Sequence, residues 1–159
     1  MTEPQIGPSH LCDLARQVRG CTLDLLLGAA DTELLWAPRG TSNHILWHAG
    51  HALWLQDKLC LELLTKKSEL PKGWETKFGM HCRPVTSTKD WPGRDEVARL
   101  LTLQLQRMLG VLRETPAERL VIPEGSARCL AGTILHGLHD EARHQGEMYL
   151  LLKLARASG

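Results

Sequence analysis

A chain of 159 residues is long enough for one domain with its own core, and 43% hydrophobic residues is ordinary for a globular protein. The net charge of +1 leaves no basic surface for nucleic acid or an anionic membrane. Leu dominates the apolar set, while Phe and Tyr occur once each, a bias toward helix over sheet.

No run reaches the roughly 18 apolar residues of a membrane span. The MTEPQIGPSH start lacks the charged-then-apolar pattern of a secretory leader. Cys12, Cys21, Cys60, Cys82 and Cys129 are odd in number and contain no C-x-x-C pair. Reduced thiols in a cytoplasmic protein are therefore expected.

The first helix is expected over 9–27, with Leu11, Leu14, Ala15, Val18, Cys21, Thr22 and Leu25 on its apolar stripe and Ser9 as N-cap. The second runs over about 43–64, with Thr41, Ser42 or Asn43 as cap. A long irregular stretch over 66–94 follows, read as a crossover packed over one end and anchored by Trp74, Phe78, Met80 and Trp91. The third helix spans 94–114, with Val97, Leu101, Leu105, Met108 and Leu112 on one stripe, and Pro116 stops it. The fourth covers about 130–156. Together these define an all-α, single-domain four-helix bundle over 1–159, in up-down-down-up order with the long crossover between helices two and three.

Six of the eight histidines fall in two places: His44, His48 and His51 in the second helix, His136, His139 and His144 in the fourth. Histidine is a mediocre helix former and rarely enters a core without a partner. His136, Asp140 and His144 are spaced by four and share a face. Asp140 and His144 can thus reach one ion from one side, leaving a third position for a facing helix. Spacing leaves both His48 and His51 open for that position. His44 and His48 form H-x-x-x-H without the glutamate of H-E-x-x-H, so a zincin is excluded.

NHILWHAGHALWLQDKL and LHGLHDEARHQGEMYLLLKL resemble the second- and fourth-helix signatures of the DinB-like superfamily of metalloenzymes. The resemblance implies His51 as the second-helix ligand, His144 before Gln145-Gly146-Glu147 as the last ligand, and Asp140 four residues earlier. Most members carry His at that earlier position. Mycothiol-dependent maleylpyruvate isomerases, similar in fold, use a carboxylate there. His48 is then a pocket residue or alternative ligand. Glu147 reads first as a solvated residue, Asn43 first as a cap, and His136 and His139 as donors that steady Asp140.

Three protein ligands leave coordination positions open, as in catalytic rather than structural sites. The chemistry would pass through the metal held by His51, Asp140 and His144. Zinc is favoured by the donors, with nickel, iron or manganese as alternatives. The resemblance implies a low-molecular-weight thiol as co-substrate and a transferase or isomerase acting on a small electrophile. A hydrolase that activates water is the alternative, and a non-catalytic, metal-stabilised stress-response or binding module the third reading. No Gly-rich phosphate loop is present. The expected partner is a small-molecule substrate, and exposed helix faces leave a homodimer open.

Overall fold

The computed structural model describes residues 6–40, 43–81, 91–122 and 128–158. Four long helical segments carry the architecture. They are α1 (Pro8–Gly28), α2 (Ile45–Gln56) with its continuation, α5 (Arg94–Glu114) and α7 (Leu130–Ala157). Past Gln56, α2 runs into a π-helical turn, Asp57–Leu61, and then the short α3 (Glu62–Thr65). Two further short helices, α4 (Trp74–Phe78) and α6 (Ala117–Leu120), lie in the connections. No β-strand occurs among the described residues. α1 packs chiefly on α5 and α7, and α2 packs on the same two helices. At 1.5 Å per residue, the 28 residues of α7 span about 42 Å, so α7 runs the length of the bundle.

Local chemistry sets the helix ends. Gly7, not Ser9, is the N-cap of α1, with Pro8 at the first helical position, where its fixed φ suits the helix and its missing N–H is no loss. His44 caps α2 by accepting the Trp47 N–H at Nδ1, 3.1 Å away. That displaces the expected cap: Asn43 lies outside the helix, and Thr41 and Ser42 lie outside the described residues. α5 begins and ends where its periodicity places it.

The apolar core is split into two clusters. One gathers Leu26, Ile45, Trp47, Leu53, Phe78, Leu101 and Met148. The other gathers Leu11, Ala15, Cys60, Met108, Leu112, Ile134 and Leu138. Between them, in chain position on all four helices, lie buried Arg19, Gln56, Gln104 and Glu141. On α1, Leu11, Ala15, Val18 and Thr22 of the expected stripe are buried and Leu14 and Leu25 partly so, but the buried face is wider than expected on one side. Arg19 and Leu26 are buried, while Cys21 is exposed.

The buried polar layer is cross-linked by hydrogen bonds around one carboxylate. Arg19 donates from Nε to Glu141 Oε1 (2.8 Å) and from Nη2 to Oε2 (3.1 Å). It also donates to the Leu101 carbonyl and to Gln104 Oε1. Thr22 Oγ1 and Gln56 Nε2 donate to the same carboxylate at 2.7 and 2.9 Å. Gln104 Nε2 donates to the Leu53 carbonyl. One carboxylate thereby sets the register of α1, α2, α5 and α7.

Part of the connection after α3 folds back on the bundle. Asp57, buried in the π-helical turn, accepts from Ser68 Oγ (2.6 Å) and the Glu69 N–H (3.0 Å). Trp74 and Phe78 are buried and Trp91 is partly covered, as anchors. Met80, expected to join them, is exposed, lying just past the end of α4 at Phe78.

Candidate metal centre

The first two turns of α2 and the middle of α7 face each other above the polar layer. One ligand atom each from His51, Asp140 and His144 lies within 4.8 Å of the others. A second set, His48, His144 and Glu147, meets the same criterion and shares His144. The structure therefore brings together the three residues singled out from sequence and adds His48 and Glu147 beside them. His136 and His139 are exposed and make no hydrogen bond to Asp140, whose partner is Arg143 Nη1 at 3.3 Å. The expected steadying role for these two histidines is not realised.

His51 is held on every side. Its ring stacks on Trp47 (centroids 4.6 Å apart) and on Trp54 (5.2 Å). Its Nδ1 lies 2.6 Å from the Phe78 carbonyl. A carbonyl only accepts, so Nδ1 carries the proton and Nε2 keeps its lone pair. Ligating histidines are commonly oriented by such a second bond. The support comes from α4, which is latched to α2 by the Trp74 indole N–H donating to the Gly50 carbonyl at 2.9 Å.

Gly50 makes that latch possible, since a Cβ there would overlap the Phe78 ring. Gly50→Ala is expected to destabilise the fold by about 1–3 kcal/mol through overpacking and to loosen the Phe78–His51 bond. Urea unfolding checks the first effect, and a weaker metal affinity in competition with a chelator checks the second. An unchanged urea midpoint would contradict the tight approach.

Electrostatics keep the imidazoles neutral. Burial pushes His48 down to about 3, with His144 and His51 nearby adding to the effect. Burial brings His144 down to about 4 and lowers His51 as well, opposed by the Phe78 carbonyl and Asp140. His48 and His144 meet through their Nδ1 atoms at 2.8 Å, one donating to the other. His48 Nε2 is buried without a hydrogen-bond partner. It lies 3.3 Å from Glu147 Oε2 but is not aligned with it.

These shifts carry a pH signature. Above about pH 6.5 the histidines are neutral in both folded and unfolded chains. As pH falls below that, the unfolded chain takes up protons that folded His48 and His144 refuse, so stability is lost between about pH 6.5 and 4. The loss is on the order of 2 kcal/mol for each histidine by about pH 5. Urea midpoints of chelator-treated protein at about pH 7.5 and 5 measure it. The difference should shrink in His48→Gln, and an equal difference there would contradict the assignment.

The donor set fits a divalent cation. It offers two neutral imidazoles, one with its free nitrogen fixed by hydrogen bonding, and a carboxylate whose side chain is 21% exposed. It contains no thiolate. Cys12 and Cys60 are buried in the other half of the core, and burial raises the Cys60 thiol to about 12. Cys82 lies outside the described residues.

A helical bundle with two imidazoles and a carboxylate from facing helices belongs to the architecture in which metal sites are built inside bundles. The family is then specific: the sequence model of the DinB superfamily matches residues 14–148, and the chain belongs to that superfamily. The match spans both site helices and the buried polar layer. No curated protein matches the chain significantly. No described helix is long and apolar enough to cross a membrane.

Sequence reasoning missed the Arg19–Glu141 layer and the π-helical turn. The first had a signal: Arg19 sits at helical spacing within the Ala15, Thr22 and Leu26 stripe of α1. A charge on a buried stripe requires an opposite charge on a facing one.

Proposed function

We propose that this chain is a metal-dependent enzyme in which His51, Asp140 and His144 hold a divalent ion, zinc being favoured by the donor chemistry. Nickel, iron or manganese suit the same ligands less well. The reaction is transfer or isomerisation of a small electrophile with a low-molecular-weight thiol as co-substrate. The observation that carries this reading is the convergence of three donor atoms within 4.8 Å, with His51 fixed in the ligating tautomer by the Phe78 carbonyl.

When bound, the ion lowers the pKa of a coordinated thiol or water and so supplies a nucleophile at neutral pH. The chain's own residues do the rest. Trp47 and Trp54 clamp His51 and keep water from its ring faces. The Glu147 carboxylate, beside a His48 that stays neutral near pH 7, is placed to take up the nucleophile's proton. Glu147, more than half exposed, passes it to solvent. The same carboxylate would serve water as readily as a thiol, which is what favours hydrolysis as the second reading.

Turnover separates them. Zinc-loaded protein is expected to consume glutathione, mycothiol or bacillithiol with chlorodinitrobenzene. His51→Ala should lower the rate about 100-fold or more while the helical circular dichroism is kept. Ester cleavage without thiol would move the assignment to the hydrolase. Metal-loaded protein that does neither across a broad panel would overturn the enzymatic reading in favour of a binding module.

A further inference from the structure

A cavity of about 370 Å³ opens beside the centre, between the segment before α2 and the outer half of α7. Its aliphatic wall is Pro38, Leu150, Leu151 and Leu154, its inner end is His48 and Glu147, and Gly40 and the polar Asn43 complete the described lining. On α7 the donors and the wall form one stripe. Asp140, His144, Glu147, Leu151 and Leu154 follow one another at spacings of four, three, four and three. Along the helix axis, Leu151 and Leu154 lie about 10 and 15 Å beyond His144. The face that presents the metal donors therefore continues, without a break, as an apolar wall.

Three features define the occupant. The wall is aliphatic, and two of its leucines, Leu150 and Leu154, are held half-exposed, so covering them with an apolar body is favourable. At the inner end, the buried His48 Nε2 has no hydrogen-bond partner, and a buried polar atom in that state favours a ligand that supplies one. Among the described residues the lining contains no Lys or Arg, and its one carboxylate is Glu147. In metal-free protein an anionic ligand would meet repulsion from Glu147 with no counter-charge.

We infer that this cavity is the acceptor subsite and that it takes an uncharged, elongated molecule. The molecule's aliphatic or aryl-alkyl body lies along Leu150, Leu151 and Leu154, and its carbonyl or hydroxyl head meets His48 at the metal centre. Its role as a substrate site depends on the metal-centre reading above; the binding itself does not. The size agrees with this occupant, since small-molecule sites commonly begin near about 300 Å³.

The test uses full-length protein with ¹³C-labelled leucine methyl groups, both zinc-loaded and chelator-treated. The probes are 2-octanone and octanoate, matched in length and differing in charge. Saturable shifts are expected in the Leu150, Leu151 and Leu154 methyls with 2-octanone and, in the chelator-treated protein, at about 10-fold lower concentration than with octanoate. Leu154→Glu should weaken 2-octanone binding by about 10-fold while zinc loading stays at the wild-type level. Because Leu154 is partly exposed, that variant keeps its fold; Leu150→Glu, at a more exposed position, repeats the test. Shifts spread over leucines elsewhere, octanoate binding the chelator-treated protein as tightly as 2-octanone, or both variants binding normally would overturn the inference. If zinc fails to load but the three methyls respond, the metal reading falls and the cavity assignment stands. If zinc loads and the methyls stay still, the cavity assignment alone falls.

Discussion

Glu141→Ala is expected to destabilise the protein by about 3–5 kcal/mol, because it strands a buried charge. The carboxylate accepts four hydrogen bonds, two from Arg19 and one each from Thr22 and Gln56. Its removal leaves the Arg19 guanidinium, 2% exposed, buried without its counter-ion. Arg19→Ala should cost a similar amount for the mirrored reason. The two losses should not add: the double variant is expected to lie close to either single one, since neither charge is then left stranded. Urea unfolding of wild type, both single variants and the double variant closes this cycle. Additive losses, or a Glu141→Ala change below about 1 kcal/mol, would show that the layer does not act as a unit.

The layer also bears on the centre. Glu141 stands between Asp140 and the next turn of α7, and its bond to Gln56 fixes α7 against α2 a little over one turn beyond His51. The gap across which the metal donors meet is thus set by a group that never touches the ion. Part of the effect of Glu141→Ala should therefore appear as weaker metal binding in the fraction that remains folded.

The second large effect concerns Asp140. Asp140→Ala is expected to weaken zinc binding by more than about 100-fold, beyond the 10- to 100-fold typical of residues that only support a ligand. Asp140→His should keep most of the affinity, because an imidazole at this position reaches the same point from the same turn of α7. Zinc affinity by competition with a chromogenic chelator, at one pH and ionic strength, checks both. Asp140 is only partly buried and is paired with exposed Arg143, so Asp140→Ala should leave the urea midpoint of metal-free protein nearly unchanged. Equal zinc affinity in wild type and Asp140→Ala would remove this residue from the ligand set.

The fold is legible in the sequence because helix periodicity is a local property. α5 matches its expected span, and α7 differs by one residue at its end. Periodicity alone finds most of the buried α1 stripe but leaves out Arg19, because Arg19 reads as polar surface. Only a partner 122 residues away makes its burial favourable, and that pairing is invisible in one helix. The π-helical turn at 57–61 carries no sequence mark, since its extra residue is stabilised by contacts to Ser68 and Glu69.

The grouping of His51, Asp140 and His144 is legible from the spacing of Asp140 and His144 together with the resemblance that points to His51. Spacing alone does not separate His48 from His51. What distinguishes them is tertiary: a carbonyl from α4 holds His51 Nδ1, whereas His48 Nδ1 meets His144 and its Nε2 lies beside Glu147. His136 and His139 fail as supporting donors because their positions on α7 are exposed to solvent.

Metal content of untagged protein is the most direct test of the centre. Elemental analysis should find one divalent ion per chain, and that ion should fall to trace levels in His51→Ala and His144→Ala while the helical circular dichroism is retained. Protein that carries no ion after growth in metal-replete medium and direct zinc addition, or that carries the same ion after loss of both histidines, would contradict a metal centre at these residues.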